Sequence, residues 1–326
     1  MRVMDSDMQH FYGLENIQYQ HQHTWITIGS FDGVHLGHQT IIKDMVASAH
    51  QHQAKAVVIT FHPHPAVVLR GLDKPYYLTM PEERAALMAE LGVDAVVTLT
   101  FTRELAALSA SDFMRNITEK LNPRELWVGS DFALGRNREG NVEQLKVIGQ
   151  SLGFQTRVIQ AVMKNGSEKI SSSRIRQLLE QGEIEHASQL LGRWYSLEST
   201  VIRGDGRGRL LGFPTANLEL PLERILPAPG VYATWAWLNG ARHPSVTSVG
   251  FRPTFTDTPP IPRVEAFIFD FQQDIYGETL SLQFIRRLRF EEKFETVQAL
   301  IDQMQQDSSQ AREVLSHAQP TPDLPA

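Results

Sequence analysis

The sequence predicts an α/β domain followed by a small antiparallel β domain. Three observations lead there. From Trp25 to about Glu185, strand-like and helix-like runs alternate, the pattern of a parallel sheet with helices on both faces. After about Ala187 the alternation stops, and short strand-like runs with Gly and Pro turns crowd together, as in a small antiparallel barrel. The chain has 326 residues, 42% of them hydrophobic, enough for two ordinary domains with a core each. The expected division is 1–186 and 187–326.

In the first half, residues 1–23 are polar and rich in His and Gln. They read as a solvated lead-in, and His21 and His23 as part of it rather than as metal ligands. Strand-like runs follow at Trp25–Ser30, Lys55–Phe61, Asp94–Phe101, Leu126–Gly129 and Gln155–Val162. Thr79-Met80-Pro81-Glu82 is a capping-box pattern ahead of a helix over Arg84–Leu91, with Gly92 as its stop. In the second half the strand-like runs are Tyr195–Arg203, Val231–Leu238, Ser245–Val249, Val264–Phe271 and Thr279–Arg287. A helical tail carries Phe294, Val297, Leu300, Ile301 and Met304 on one face, and Asp307, with Gln310 three residues on, reads as the start of a second helix. Gln319–Ala326 is proline-rich and reads as frayed.

Composition narrows the function classes. Lys plus Arg is 31 and Asp plus Glu is 37, a net charge of −6. That argues against a nucleic-acid partner, which calls for a basic surface. Small phosphorylated ligands need only local positive potential and stay open. There is no cysteine, so disulfides and thiolate metal sites are out. No apolar run approaches the ~20 residues of a membrane span. The N-terminus, with Asp5, Asp7, Gln9 and His10, has no signal-type stretch. The expected location is the cytoplasm.

Ligands of parallel sheets sit at the C-terminal ends of the strands, and the chemistry-bearing motifs follow predicted strands. Thr27–Ile42 reads TIGSFDGVHLGHQTII. It leaves a strand, crosses Gly29 to Gly37 and becomes helix-like from about His38. Glycines let backbone approach an anion, a helix start offers unpaired N–H groups, and the flanking His35 and His38 add donors. After Lys55–Phe61, His62-Pro63-His64-Pro65 is a stiff segment kept out of helix by its prolines. After Leu126–Gly129 comes a glycine-flanked loop with Asp131, Arg136 and Arg138. Ile170-Ser171-Ser172-Ser173-Arg174-Ile175-Arg176 leads into a helical Gln177–Gln181. Its hydroxyls and helix-start amides suit a triphosphate, and an arginine suits departing pyrophosphate. Each segment in isolation also fits an ordinary turn or cap.

The second half has one such motif, Arg203 to Asn217, RGDGRGRLLGFPTAN. A flexible loop with Gly206 and Gly208 could fold over phosphates, and Thr215 and Asn217 offer oxygen ligands to Mg²⁺. A hairpin loop followed by an Asn turn fits the same spacing.

Together these strings resemble known families. GSFDGVHLGH, TFHPHP, VGSDFALG and ISSSRIR resemble, in order and approximate spacing, the FMN adenylyltransferase module of bacterial FAD synthetases, over roughly residues 24–186. The resemblance implies a Rossmann-like H-x-G-H nucleotidyltransferase domain. It implies that His35 and His38 contact ATP phosphates, with Gly29, Phe31, Asp32 and Gly37 on the nucleotide side. Ser172, Ser173 and Arg176 would hold the triphosphate, and Pro63, His64, Pro65 and Asp131 would line the FMN side. The sequence departs from the family pattern at Ser130, where an acidic residue is usual, and at Ala133, where a basic one is usual. GFPTAN, Pro229–Tyr232, Val249–Phe255, Val264-Glu265, Ile275–Gly277 and Leu288–Phe294 resemble riboflavin kinase over nearly all of 187–315. That resemblance implies that Thr215 and Asn217 bind Mg-ATP beside Gly206 and Gly208. It also implies that Arg289 lies on the flavin side and that Glu265 is the base for the riboflavin 5′-hydroxyl. Glycine is usual where Ser199 stands.

The implied chemistry is consecutive: riboflavin and ATP give FMN, then FMN and ATP give FAD and pyrophosphate. Mg²⁺ is the implied cofactor, ATP the co-substrate, and no nucleic acid or membrane is involved; a monomer or weak homo-oligomer is expected. No G-x-G-x-x-G with a downstream acid is present, nor a G-x-x-x-x-G-K-[ST] loop. Two other readings stay open: a riboflavin kinase with an impaired adenylyltransferase half, motivated by Ser130 and Ala133, and a flavin- or nucleotide-binding regulator without turnover.

Overall fold

The computed structural model describes residues 8–15, 17, 19, 22–160, 163–164, 168–204, 206–252 and 261–319. They form two compact units, one ending at Ser172 and the other beginning at Ser173.

In chain order the first unit holds β1 (Gln9–Tyr12), β2 (Thr24–Ile28), α1 (Leu36–Gln51), β3 (Lys55–Phe61), α2 (Pro65–Arg70), α3 (Pro81–Ala89), β4 (Ala95–Leu99), α4 (Arg103–Ala107), α5 (Ala110–Leu121) and β5 (Pro123–Gly129). The short β6 (Ala133–Leu134) and β7 (Gly140–Asn141), then α6 (Val142–Leu152), β8 (Gln155–Ile159), β9 (Met163–Lys164) and β10 (Glu168–Lys169) complete it. Six strands form one parallel sheet in the order β1-β4-β3-β2-β5-β8. Its inner strands are apolar on both faces, because helices cover both. On one face Ile26, Val57, Val97 and Leu126 pack with Met114, Ile117 and Leu121 of α5 and Leu145 of α6. On the other, Ala56, Val58 and Val96 pack with Ile42, Met45 and Ala49 of α1 and Met88 of α3. The chain runs outward from β2 through β3 and β4, then returns to place β5 on the other side of β2. This reversal between β2 and β5 is a topological switch point, where sheets of this kind hold ligands.

Three local expectations are corrected here. Part of the polar lead-in is a strand: β1 pairs in parallel with β4, and its backbone bonds outweigh its polar composition. The second proline of His62–Pro65 does not keep the segment out of helix, since Pro65 opens α2, where a missing N–H costs nothing. The N-cap of α3 is Met80, not Thr79; Glu83 accepts the Met80 N–H at 3.2 Å, and Thr79 is turned inward. His21 lies outside the described residues.

The second unit begins with α7 (Ser172–Gln181), whose first residue belongs to the first unit, and α8 (Ile184–Leu191). It continues with β11 (Tyr195–Ile202), α9 (Arg207–Leu210), β12 (Ala216–Leu218), β13 (Gly230–Leu238), β14 (Ala241–Arg252), β15 (Ile261–Ile268), β16 (Thr279–Arg289) and α10 (Val297–His317). The strands close a six-stranded barrel in the order β11-β12-β15-β14-β13-β16, every described pairing antiparallel. Leu197, Tyr232, Ala236, Leu282 and Phe284 are buried in it, and α10 lays Ala311 and Leu315 against Ala233 and Ile285. The tail is one helix rather than two. Thr296 caps it, accepting the Ala299 N–H. Asp307 is buried in its middle and committed to Arg289, so its cap-like spacing does not start a helix. Asn217 sits in β12, not in a turn, and α7 is helical from Ser172 rather than from Gln177.

Candidate active site

The loop between β2 and α1 is tightly determined. Phe31 (φ 46°), Gly33 (φ 82°) and Val34 (φ 39°) all have left-handed backbone. For a β-branched residue such as Val34 that is a strained geometry, held only where surroundings over-determine it. They do: Phe31 and Val34 are buried in the α1–α3 core. Val34 O accepts from Gln39 Nε2 at 2.9 Å. The strain turns the chain so that α1 opens at Leu36 with His35 as N-cap, its Nδ1 accepting the His38 N–H at 3.3 Å. The two imidazoles stack, centroids 3.6 Å apart and planes 18° from parallel, and Phe31 meets His38 edge-on at 5.1 Å. Gly29 donates its N–H to Ile59 O, which continues the β2–β3 pairing, and Gly37 lies in the first turn of α1. A histidine pair at the positive end of a 16-residue helix, beside the switch point, is suited to an anion.

Asp32 does something different from its neighbours. It is fully buried. Its carboxylate accepts N–H bonds from Leu78 and Thr79 at 3.0–3.1 Å and the Thr79 hydroxyl at 3.2 Å. Arg84 Nη2 lies 3.7 Å away, both side chains at 0% exposure. This carboxylate shapes the loop and is closed to ligand. Sequence reasoning missed Arg84, Thr79 and Thr60; the capping-box pattern assigned Thr79 to another task and left Arg84 as an ordinary helix residue.

After β3, the His62–Pro63 bond is cis and His64 caps α2, accepting the Ala66 N–H at 3.0 Å. Its own N–H goes to the Tyr77 hydroxyl at 2.9 Å, and the His64 ring lies against Tyr76. These tyrosines complete the Pro63–Pro65 wall and carried no sequence signal of their own. Across the switch point, the loop after β5 opens onto a 670 Å³ cavity lined by Ser130, Asp131, Phe132, Arg138, Lys146 and Val158, among others. Lys169, from β10, donates to Asp131 at 2.5 Å. That bond holds the Asp131 carboxyl below the usual aspartate range, against the opposing pull of partial burial. Ser172 Oγ, within the first unit, donates to the Asp32 carbonyl at 2.8 Å. Ser173, exposed, and Arg176, buried, follow within the next turn of α7.

In the barrel, strand register brings the predicted residues into one row. Asn217 of β12 faces Glu265 of β15, Glu265 faces Ser248 of β14, Ser248 faces Val231 of β13, and Val231 faces Arg289 of β16. Directly opposed residues project to the same side of a sheet, so Asn217, Glu265 and Ser248 share a face. Val231, Ser248 and Arg289 line an open 670 Å³ cavity together with Glu291–Val297 and Leu300. Glu265 accepts from Arg263 at 2.5 Å and is 20% exposed. Arg289 is fixed by Asp307 through bonds of 2.8–3.1 Å, and Gln303 Nε2 donates a further bond to Asp307 at 2.9 Å. Beside the row, a Cβ at Gly204 would fall 2.4 Å from the Asn217 amide, and one at Gly208 would fall 2.4 Å from the Phe213 carbonyl and 3.6 Å from Thr215 Oγ1. The glycine-rich loop therefore lies directly on the Thr215–Asn217 segment because it has no side chains there. Gly206 supplies a left-handed turn, φ 70°, as N-cap of α9. Thr215 and Asn217 offer hard oxygen donors, the class Mg²⁺ takes. Ser248 carried no readable signal, since its place in the row is set by strand pairing. Arg263 is two positions from Glu265, but spacing does not reveal its bond. The spacing of Asp307 pointed to a helix start rather than to Arg289.

Two family models match the chain: "FAD synthetase" over residues 17–174 and "Riboflavin kinase" over residues 191–315. A protein from Listeria monocytogenes named bifunctional riboflavin kinase/FMN adenylyltransferase is 38% identical over 288 residues, covering 88% of this chain and 91% of that protein. This chain belongs to the bifunctional riboflavin kinase/FMN adenylyltransferase family. Relatives of the same name from Bacillus subtilis and Escherichia coli K12 are 35% and 33% identical, each covering at least 88% of this chain and 90% of the relative. A solved structure named as a macrolide-efflux protein, from Streptococcus pneumoniae, superposes with a TM-score of 0.82 at 31% identity, covering 94% of this chain and 98% of that one. Among the described residues of this family member, no helix is long and apolar enough to cross a membrane.

Proposed function

We propose that the histidine loop and the barrel row are the two reaction centres of one bifunctional flavin-cofactor enzyme. The chain phosphorylates riboflavin to FMN with ATP in its second half and transfers an adenylyl group from ATP to FMN in its first. The observation that carries the residue assignment is the register row, which sets Asn217 and Glu265 side by side on a strand pair, next to the cavity that Arg289 lines.

In the kinase half, Glu265 takes the proton of the riboflavin 5′-hydroxyl as its oxygen attacks the γ-phosphorus and ADP leaves. Arg263 keeps the carboxylate oriented by its bond at 2.5 Å. Gly206 and Gly208 let backbone close over the phosphates, and Arg289 faces the flavin. Thr215 and Asn217 would hold Mg²⁺, which supplies charge neutralisation on the nucleotide phosphates.

In the adenylyltransferase half no protein nucleophile is needed. A phosphate oxygen of FMN attacks the α-phosphorus of ATP, and the bond to pyrophosphate breaks. His35, His38 and the amides of the first turn of α1 stabilise the charge that develops. Gly29, Phe31 and Gly37 shape that loop, with Asp32 fixing it from within. Ser172, Ser173 and Arg176 receive the triphosphate, and Pro63, His64, Pro65 and Asp131 bound the FMN. Lys169, salt-bridged to Asp131, supports this side by placing a cation where Ala133 has none. The functional division is assigned at 186/187; the family models leave 175–190 outside both matches. We assign the protein to the cytoplasm, acting without nucleic acid or membrane, as a monomer or weak homo-oligomer.

The test is chromatographic product analysis after incubation with riboflavin, ATP and Mg²⁺, and separately with FMN, ATP and Mg²⁺. FMN followed by FAD is expected. FMN alone would favour the impaired-half reading, and bound flavin without product the regulator.

A further inference from the structure

We propose that Arg84 is the positioning residue of the adenylyltransferase half, a buried hub that fixes the nucleotide loop and the flavin loop relative to each other. The inference rests on the assignment of His35 and His38 to ATP and of Pro63–Pro65 to FMN. Arg84 is wholly buried. Its Nη1 donates to Ser30 O at 2.9 Å, to Thr60 Oγ1 at 3.1 Å and to Phe61 O at 3.3 Å. Its Nη2 donates to Thr79 O at 3.0 Å and lies 3.7 Å from Asp32, and its Nε reaches Thr79 Oγ1 at 3.4 Å. Ser30 opens the histidine loop. Phe61 is the residue before the His62–Pro65 segment. Thr79 receives the Gly33 N–H at 2.9 Å. Thr60 Oγ1 closes the set by donating to Ser30 O at 2.9 Å.

A planar guanidinium reaches these directions at once, which a lysine ammonium on a flexible stem does not. A buried charge with this many main-chain partners is a costly way to fill a core position that an apolar residue would fill. What it adds is geometry: the ends of β2 and β3 and the loop before α3 cannot shift independently. Adenylyl transfer needs the FMN phosphate oxygen in line with the α-phosphorus, and such reactions lose ~100-fold for about 1 Å of misplacement.

The experiment compares Arg84→Lys with wild type in FMN-to-FAD kinetics, ATP and FMN binding by calorimetry, and riboflavin-to-FMN kinetics. FAD formation by the wild type comes first; without it the functional reading itself fails, whatever the variant does. Given that activity, Arg84→Lys is expected to lower kcat for FAD formation by ~10- to 100-fold, with both dissociation constants within about threefold of wild type and FMN formation unchanged. Wild-type kcat would overturn the proposal, as would weakened binding with kcat retained. If Arg84→Lys unfolds the first unit, Thr60→Val decides. It is nearly isosteric and removes only the hydroxyl between Ser30 and Arg84. A lowered kcat with unchanged affinities supports the hub, and wild-type kcat refutes it.

Discussion

Asp307→Ala probes how the barrel holds its flavin-side arginine. Asp307 accepts three hydrogen bonds from Arg289 and one from Gln303, with its side chain 4% and that of Arg289 17% exposed. The substitution removes all four bonds and leaves a mostly enclosed guanidinium without its counter-charge. Removing one partner of a buried ion pair costs about 3–5 kcal/mol. Arg289 retains a bond to the Phe290 carbonyl at 3.0 Å and some path to water, so the lower end, about 3 kcal/mol, is expected. Against a domain stability of ~5–15 kcal/mol the barrel stays folded. Amides of β16 and α10 that exchange through opening of this contact should lose about 100-fold protection, at 1.4 kcal/mol per factor of ten. Freed from Asp307, Arg289 no longer faces the cavity in one position, and kcat/KM for riboflavin should fall ~10- to 100-fold. Hydrogen exchange and steady-state kinetics read the two effects. Exchange unchanged within about threefold, together with wild-type kcat/KM, would refute the reasoning.

Other expected outcomes are equally local. His38→Ala should lower FAD formation from FMN by ~100-fold or more while leaving FMN formation intact, measured by separate product assays. Gly208→Ala puts a Cβ 2.4 Å from the Phe213 carbonyl; the loop must move, so KM for ATP in the kinase reaction should rise severalfold with FAD formation unaffected. Lys169→Met removes the bond that depresses Asp131. In the wild type, the folded-state value lies below the unfolded one, so this contribution to stability is present above the ordinary aspartate range and is lost as pH falls through the depressed value. The variant's Asp131 should titrate closer to the ordinary range by carboxylate NMR, and weaker FMN binding would accompany it.

The sequence carried the fold class because its cues are local or periodic. Alternation predicted the sheet, and β3 is observed with the expected bounds, Lys55–Phe61. The tail helix was split because Asp307 and Gln310 have cap spacing, whereas the tertiary bond to Arg289 keeps Asp307 inside a continuous helix. β1 was missed because four polar-to-aromatic residues on a sheet edge show no hydrophobic period. The motif strings located the loops but not the division of labour within them. Asp32 sits amid nucleotide-side residues, yet its carboxylate faces Leu78, Thr79 and Arg84, some fifty residues on. Likewise Glu265 was legible as a polar residue in an apolar run, while Arg263, two positions earlier on the same strand, was not; its value lies in a side-chain geometry that spacing does not encode.

The most direct test of the central claim is product formation by Glu265→Gln, given riboflavin and ATP in one reaction and FMN and ATP in another. The substitution keeps size and hydrogen bonding while removing the base. No FMN from riboflavin, with FAD formed from FMN at the wild-type rate, is the predicted result. FMN formation at the wild-type rate would contradict the role of Glu265, and loss of both products would contradict the separation of the two centres.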